Sequence, residues 1–489
     1  MNNTFILKKI KHSLSLILIL SLGFSLIVKN QVLAQENEDN NTICYENIED
    51  EINKVIESPE YNRANWGIMV KELNNEEIIY SLNGNNYFLH ASNAKLITTA
   101  AALLKFGQNY RFQTPIFLTE NDNNIYNLKL IGQGDPSLIS SDLEEVALKL
   151  QEENITDIEK LIIEENNANN LGINPTWEWD DIYYYYAVNV NSLILNENAV
   201  VLKVLPQAEG EIVDLIWSDD IASNQWNVIN TATTAAEDVP YNVSINGILG
   251  DNILEISGEI ASNSPEDIWG LSILNPSQYF LDSFTAILEE KSINICQSLI
   301  SNLSSQDLEN ERLLMNIESP LMSELITKTN IESNNLFAEA LFQLLGNESN
   351  EENTLKETLT ELGVEANSYY LKDGSGLSRH NLVSPQALIQ TLDLMAQTSV
   401  AKIYKDSLPI AGINGTLKRR FTNTFLENNL QAKTGTLSGT STLSGYLKTR
   451  EGEELVFSIL VNNSNQYSSV LRQGIDKIAL IFSETKQCN

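Results

Sequence analysis

The stretch ASNAKLITTAA, residues 91–101, is typical of the start of a buried helix that carries two reactive side chains. Ser92 and Lys95 are three residues apart, so a helix places them on one face, one turn from each other. The residues after Lys95 are apolar or small, and an amine among them is partly desolvated, which lowers its pKa from about 10.4. Such a lysine can take the proton of the serine. In the plainer alternative, Ser92 caps the helix and Lys95 extends its charge into solvent.

Two later segments favour the chemical interpretation. ESNNLFAEALF places Ser333 and Asn335 at the start of another apolar helix, and QAKTGTLSG places Lys433, Thr434 and Gly435 at the end of a predicted strand. Ser-x-x-Lys, Ser-x-Asn and Lys-Thr-Gly, in this order, form the motif set of penicillin-recognising serine enzymes. Three ordered motifs on two helices and a strand therefore indicate an active site.

Each motif residue has a predicted task in acyl transfer. Ser92 would attack an amide carbonyl, Lys95 would accept its proton, and Ser333 would relay that proton to the leaving amine. Asn335 would donate to the substrate amide and orient Lys95. Lys433 would attract a substrate carboxylate and keep Lys95 neutral by repulsion between like charges.

The strand of the third motif is predicted to bind the substrate along its edge. Thr434 follows the lysine, and Gly435 lets the strand lie close to the ligand. The backbone N–H groups of Ser92 and Thr436 would form the oxyanion hole that stabilises the tetrahedral intermediate.

The spacing of the motifs separates this chain from compact β-lactamases. Ser92 and Ser333 are 241 residues apart, and Ser333 and Lys433 are 100 apart. With this long first interval the chain resembles the class C low-molecular-mass penicillin-binding proteins, the D-alanyl-D-alanine carboxypeptidase/endopeptidase family. The likeness continues in IGQGDPSL, WEWDDIYYYYAVNVNSLILNEN, LKDGSGLSRHNLVSP, IAGINGTLKRRF and AKTGTLSGTSTLSGYL. It covers nearly the whole chain after the first 34 residues.

This resemblance implies an α+β fold and a substrate. The expected fold is a β-lactamase/transpeptidase-like domain, an antiparallel sheet covered by helices, interrupted by a mainly β insertion of two smaller domains. The expected substrates are peptidoglycan peptides, hydrolysed through an acyl-enzyme on Ser92, with β-lactam antibiotics as covalent inhibitors. The resemblance also implies that Asp181 and Arg379 help to hold the charged D-centre of a diaminopimelate-type side chain. Asn334 stands where several relatives carry Asp, and we expect little effect from this difference.

The apolar pattern divides the chain into the same parts. Between residues 113 and 267, alternating apolar and polar residues predict half-buried antiparallel strands, with one helix at 141–153. Helices return after this segment, the first at 276–290, and three strands at hairpin spacing follow near the end. We therefore predict a catalytic domain formed by residues 35–112 and 268–489 and a β-rich insertion at 113–267. The resemblance implies that this insertion consists of two small domains.

The first 34 residues predict export. Lys8, Lys9 and Lys11 precede an apolar stretch from residue 14 to 28, and a small-residue site ends at Ala34. This pattern is typical of a cleaved signal peptide, and an uncleaved membrane anchor is the alternative. We expect an exported protein in the periplasm or cell envelope.

The chain contains three cysteines, Cys44, Cys296 and Cys488. In an oxidising compartment a Cys44–Cys488 disulfide would tie the two ends of the catalytic domain together and contribute about 2–5 kcal/mol. The cysteines and the three histidines show no metal-site spacing. We expect no metal and no cofactor.

Charge and the remaining candidates narrow the function further. The formal net charge of −34 disfavours nucleic acid and anionic membranes as partners. A Ser-His-Asp hydrolase would need His90 or His380, and we expect His90 at the rim of the pocket instead.

Two other functions stay open: a sensor that is acylated and released slowly, and a β-lactamase, which the long insertion disfavours. Oligomeric state and the balance of carboxypeptidase and endopeptidase activity stay open as well.

Overall fold

The structure is a computed structural model that describes residues 42–73, 75, 77–120, 125–165, 172–301, 311–346 and 351–488. The signal peptide predicted for residues 1–34 lies outside these ranges. Within the described ranges, no helix has both the length and the apolarity needed to cross a membrane.

The helix that follows Ser92 lies at the centre of the catalytic domain. The first part of this domain contains β1 (Ile43–Cys44), α1 (Ile48–Ile56), β2 (Asn65–Glu72), β3 (Ile78–Leu82) and α2 (Ala94–Phe106). Helix α2 is apolar around most of its circumference, as expected of a helix buried on all sides. Every residue from Ala94 to Leu103 is buried. The helix ends at Phe106 and is followed by Gly107, whose φ of 80° lies in the left-handed region that favours glycine.

Residues 113–318 form the inserted region. Its elements are β4 (Gln113–Glu120), β5 (Tyr126–Ile131), α3 (Ser140–Glu152), β6 (Asp157–Glu164), β7 (Ala199–Leu205), β8 (Asp214–Trp217), α4 (Asp220–Ser223), β9 (Asn227–Asn230), β10 (Thr233–Ala235), β11 (Ser244–Gly247), β12 (Ile253–Ser257), β13 (Glu259–Ala261), β14 (Asp267–Ser272), α5 (Pro276–Glu290), β15 (Asn294–Ser301) and β16 (Arg312–Glu318). Five strands form a sheet in the order β15-β6-β5-β4-β16. The smaller sheets β14-β7-β8, β11-β12-β9 and β10-β13 share one hydrophobic core with it.

The structure corrects two predictions for this region. Strand β16 pairs with β4, and α5 buries Phe280 and Phe284 in the core of the inserted region, which therefore extends to Glu318 instead of ending at residue 267. The helix predicted at 276–290 thus belongs to the inserted region. Strands β5, β6 and β15 run parallel, because helix α3 provides the crossover between β5 and β6. Alternating apolar residues indicate the buried face of a strand but not the direction of its neighbour.

The second part of the catalytic domain completes its sheet. Its elements are α6 (Met322–Ile331), α7 (Asn335–Leu345), α8 (Glu351–Leu362), β17 (Tyr369–Tyr370), β18 (Leu382–Val383), α9 (Pro385–Met395), α10 (Ala401–Asp406), β19 (Leu430–Leu437), β20 (Thr440–Lys448), β21 (Glu454–Asn462), α11 (Ser468–Ser483) and β22 (Thr485–Lys486). The sheet has the order β19-β20-β21-β2-β3 and is antiparallel throughout. The two parts of the chain join where β21 pairs with β2.

Helices cover both faces of this sheet. Along β21, Val456 and Leu460 join the core that includes α2 and α9, whereas Leu455 and Phe457 join the core that includes α1 and α11. Successive side chains of a strand point to opposite faces, so one apolar strand serves both cores. The predicted α+β architecture, an antiparallel sheet between helices, is confirmed.

The two ends of the described chain meet beside this sheet. Strands β1 and β22 pair in parallel, and a disulfide joins Cys44 to Cys488 with their Cα atoms 5.4 Å apart. This is the pairing that the sequence predicts. Cys296 is exposed and takes no part in a disulfide.

Candidate active site

Ser92 lies in a tight turn at the start of α2. The turn is a 3₁₀ segment, Ala91–Asn93, and its first residue has a φ of 46°. Asn93 Nδ2 donates to Ser444 Oγ at 2.8 Å, which ties the turn to β20. The α-helix itself begins at Ala94. The serine is therefore placed before the helix, and the sheet holds its turn.

Two glycines allow other segments to approach this turn. A Cβ atom at Gly376 would lie 1.8 Å from the Ala91 carbonyl oxygen, and one at Gly435 would lie 2.7 Å from the His90 carbonyl oxygen. Both positions exclude a side chain for this reason. Gly435 thus brings β19 against the turn that carries Ser92, in addition to its predicted closeness to a ligand.

Lys95 is fully buried and directed at Ser92. Its Nζ donates to Ser92 Oγ at 3.0 Å, to Asn335 Oδ1 at 2.7 Å and to the Ser375 carbonyl oxygen at 2.8 Å. Burial lowers the pKa of Lys95 to about 7. Extension of this lysine into solvent, the plainer alternative, is excluded because its side chain has no solvent-exposed surface.

Two buried carboxyl groups lie behind Lys95 and raise its pKa, which opposes the lowering of this pKa by burial. Asp373 accepts four hydrogen bonds of 2.6–2.8 Å, from the N–H groups of Gly376 and Ser378, from Asn381 Nδ2 and from Trp177 Nε1. Glu339 Oε1 accepts from the Ser375 N–H group at 2.7 Å. Burial and the charge of Asp373 raise the pKa of Glu339 to about 8. Glu339 is therefore largely protonated at neutral pH and only partly stabilises a charge on Lys95.

A second serine–lysine pair lies across the site. Lys433 of β19 is fully buried, and its Nζ donates to Ser333 Oγ at 2.8 Å and to the Thr434 carbonyl oxygen at 2.9 Å. Ser333 has a φ of 60° and precedes Asn334, which caps α7 by accepting the Phe337 N–H group at 3.1 Å. Burial and the charge of Lys95 lower the pKa of Lys433 well below its usual range.

The two serines open into one cleft. The cleft has a volume of about 730 Å³ and is also lined by Thr434, Gly435 and Thr436. Lys433 is not among the lining residues, and its Nζ contacts the cleft residue Ser333. The direct contact between Lys433 and a substrate carboxylate stays a prediction, and the exposed edge of β19 offers the nearer groups.

Asp181 and Arg379 have separate partners. Asp181 Oδ1 accepts from Tyr186 Oη at 2.8 Å, and burial raises the pKa of this carboxyl group. Arg379 Nε lies 2.8 Å from Glu178 Oε2, and its Nη1 donates to the Ser438 carbonyl oxygen at 3.3 Å. Neither residue lines the cleft in front of Ser92. Their joint contact with a diaminopimelate side chain stays a prediction.

Residues of the inserted region form hydrogen bonds with the Ser-x-Asn motif, and the motifs alone do not indicate these contacts. The Tyr186 carbonyl oxygen accepts from Asn335 Nδ2 at 2.6 Å. Glu197 accepts from Asn334 Nδ2 at 2.7 Å and pairs with Lys328 at 2.5 Å. Glu197 lies in a turn of left-handed residues at the end of a segment that carries the family resemblance, but its sequence pattern assigns it no task. Glu339, by contrast, has a visible signal, since it is the one charged residue in the apolar segment NLFAEALF.

His90 is fully buried, so its predicted place at the pocket rim is wrong. Burial lowers its pKa to about 3, and the imidazole is neutral at ordinary pH. Neither ring nitrogen has a hydrogen-bond partner among the described residues. Lys95, and not a histidine, is the titratable group hydrogen-bonded to Ser92.

The fold and this arrangement define a serine peptidase whose candidate base is a buried lysine. The chain matches the sequence profile of the D-Ala-D-Ala carboxypeptidase 3 (S13) family over residues 48–484. It belongs to this family.

The chain is also similar to known proteins in sequence and in fold. The chain is 28% identical to penicillin-sensitive carboxypeptidase A of Dictyostelium discoideum, over 96% of this chain and 98% of the relative. It is also 28% identical to a D-alanyl-D-alanine carboxypeptidase of Actinomadura sp. strain R39, over 89% of this chain and 84% of the relative. The crystal structure of penicillin binding protein 4 from Haemophilus influenzae superposes with a TM-score of 0.75 at 23% identity, covering 89% of this chain and 98% of that one.

Proposed function

We propose that this protein is a serine-type D-Ala-D-Ala carboxypeptidase that also cleaves cross-linked peptidoglycan peptides as a DD-endopeptidase. The observation that carries this proposal is the contact of 3.0 Å between Ser92 Oγ and the fully buried Nζ of Lys95, at the edge of an open cleft. A neutral amine at this distance can take the serine proton at the moment of attack.

The reaction would proceed through an ester on Ser92. Ser92 Oγ attacks the D-Ala carbonyl carbon while its proton passes to Lys95, and the backbone N–H groups of Ser92 and Thr436 stabilise the oxyanion. The C–N bond then breaks, and the proton reaches the leaving amine through Ser333, whose hydroxyl contacts Lys433. A water molecule hydrolyses the ester and regenerates Ser92. A β-lactam would also acylate Ser92. The C–N bond of its ring breaks and the amine stays attached to the acyl group, which explains the expected inhibition.

We also propose that the protein works outside the cytoplasm, in the periplasm or cell envelope. Three lysines followed by an apolar stretch and a small-residue site support a signal peptide that is removed after Ala34. A disulfide between Cys44 and Cys488 suits an oxidising compartment.

Labelling and product release together test this proposal. The exported protein is incubated with a fluorescent penicillin and, separately, with a pentapeptide ending in D-Ala-D-Ala. We expect labelling and D-Ala release from the wild type and from Ser262→Ala, an exposed serine of the inserted region. Ser92→Ala should lose both while keeping its thermal transition. The intact mass of the labelled protein should place its N-terminus at Gln35.

Other outcomes would separate the alternatives. Labelling without release of D-Ala would favour a slowly deacylating sensor, and fast hydrolysis of penicillin without D-Ala release would favour a β-lactamase. An unlabelled wild type would contradict acylation altogether. A mature protein that starts at Met1 would contradict cleavage of the signal peptide.

A further inference from the structure

The cleft in front of Ser92 continues toward a wall of arginines. Arg419 and Arg420 follow the turn Gly415–Leu417, Arg472 lies in helix α11, and all three line the cleft together with Ser92 and Ser333. Three of the eight arginines of a chain with a net charge of −34 thus face one cleft. This concentration of positive charge differs from the acidic character of the rest of the sequence.

Only one of these arginines is neutralised. Arg420 pairs with Asp476, the one acidic residue among the described cleft residues. Arg419 and Arg472 are exposed, and neither forms an ion pair or a side-chain hydrogen bond with another described residue. The wall therefore presents an excess of two positive charges with free guanidinium groups. Guanidinium groups bind carboxylates with paired, directional hydrogen bonds.

This wall of arginines shares its cleft with the residue that would protonate the leaving group. Ser333, which would protonate the leaving amine, lines the same cleft as the arginines. Thr434 Oγ1 donates to Thr416 Oγ1 at 2.8 Å, so β19 is joined to the turn that precedes Arg419. Asp181 and Arg379, which are expected to hold the donor side chain, lie outside this lining. The arginines thus share the cleft of Ser333 and are separate from the residues expected to hold the donor side chain, which leaves them available to the leaving group.

We propose that Arg419 and Arg472 form a second anion subsite, which binds a carboxylate of the leaving peptide beyond the one next to the scissile bond. Because D-alanine carries a single carboxylate, this subsite would be filled only by a larger leaving group. The preferred substrate is therefore a cross-linked peptide whose departing arm carries free carboxylates. The inference rests on the proposed DD-peptidase function and specifies its substrate class.

The test compares cross-linked peptide dimers that differ only in the departing arm. In both dimers the carboxylate next to the scissile bond is free. The other carboxylates of the departing arm are free in one dimer and amidated in the other. For the wild type we expect kcat/KM to be about tenfold higher with the free carboxylates, the size expected of two partly exposed ion pairs. In Arg419→Gln/Arg472→Gln this ratio should fall to about one, and added salt should reduce the wild-type ratio in the same direction.

A matched variant controls for net charge. Lys418→Gln/Lys477→Gln removes two exposed charges from the same loop and the same helix, and neither lysine lines the cleft. It should keep the wild-type ratio. An unchanged ratio in the arginine variant, or an equal fall in the lysine variant, would overturn the subsite.

Binding separates this inference from the proposed function. In a Ser92→Ala background, the affinity for the free-carboxylate dimer should fall about tenfold when both arginines are replaced, and the amidated dimer should bind both proteins alike. Loss of labelling and of D-Ala release in the wild type would contradict the peptidase, whereas equal affinities in this binding assay would contradict the subsite alone.

Discussion

The site contains two serine–lysine pairs that resemble each other in geometry and differ in construction. The Nζ–Oγ distance is 3.0 Å in Ser92–Lys95 and 2.8 Å in Ser333–Lys433, and both lysines are fully buried. The first pair comes from one turn of chain at the start of α2. The second joins residues 100 positions apart, one before α7 and one on β19.

The surroundings of the two lysines explain their different predicted tasks. Lys95 has acceptors on Asn335 and Ser375 in addition to Ser92. The charges of Asp373 and Glu339 favour its protonated form, whereas burial favours its neutral form. Lys433 has only a hydroxyl and a carbonyl oxygen as hydrogen-bond acceptors among the described residues. The first lysine is suited to gain and lose a proton, and the second to hold Ser333 in place.

Of the substitutions that distinguish the two pairs, replacement of Lys95 should have the largest effect on the rate of acylation. Lys95→Met keeps most of the buried volume and removes the base, so the second-order rate of penicillin labelling should fall roughly 10²–10⁴-fold. Lys105→Met, at the exposed end of the same helix, should label like the wild type. Stopped-flow labelling with a fluorescent penicillin measures both rates. Wild-type labelling of Lys95→Met would show that another group activates Ser92.

The second pair should depend on Glu197 of the inserted region, which has no contact with the first pair. Glu197→Ala removes the partner of Asn334 and Lys328, so the turn at Ser333 loosens and kcat/KM for D-Ala release should fall roughly ten- to hundredfold. Glu255→Ala, an exposed change on β12, is the control and should have no effect. The pH midpoint of acylation should stay in place in Glu197→Ala, because Glu197 does not contact Lys95. A shifted pH midpoint of acylation together with an unchanged kcat/KM for D-Ala release would show that Glu197 acts on the first pair instead of the second.

The difference between the pairs also explains what could be predicted from the sequence. The closeness of Ser92 and Lys95 follows from their spacing of three residues, but their catalytic role needed the two later motifs, because the same spacing also fits a capping serine and a solvent-exposed lysine. The sheet and its helices follow from periodicity. The contact between Ser333 and Lys433 is not predicted, because no local pattern links residues so far apart and the order of the motifs assigns them only to one active site. Glu197 and the Tyr186 carbonyl lie in loops that tertiary contacts position, and the parallel strands of the inserted region depend on a crossover. These features have no short-range signal.

The smallest expected effect concerns the proton on Lys95. Since the neutral amine is the base and its pKa is about 7, the rate of acylation should rise with pH through a midpoint near that value. A charged Glu339 favours protonated Lys95, so Glu339→Gln should lower the pKa of Lys95 and move the midpoint to lower pH. The shift should be small, because the pKa of Glu339 is about 8 and the acid is already largely neutral over this range. Glutamine keeps the acceptor for the Ser375 N–H group, and Glu361→Gln, exposed on α8, provides the control. A midpoint that moves to higher pH would mean that Glu339 acts on the base through geometry and not through charge.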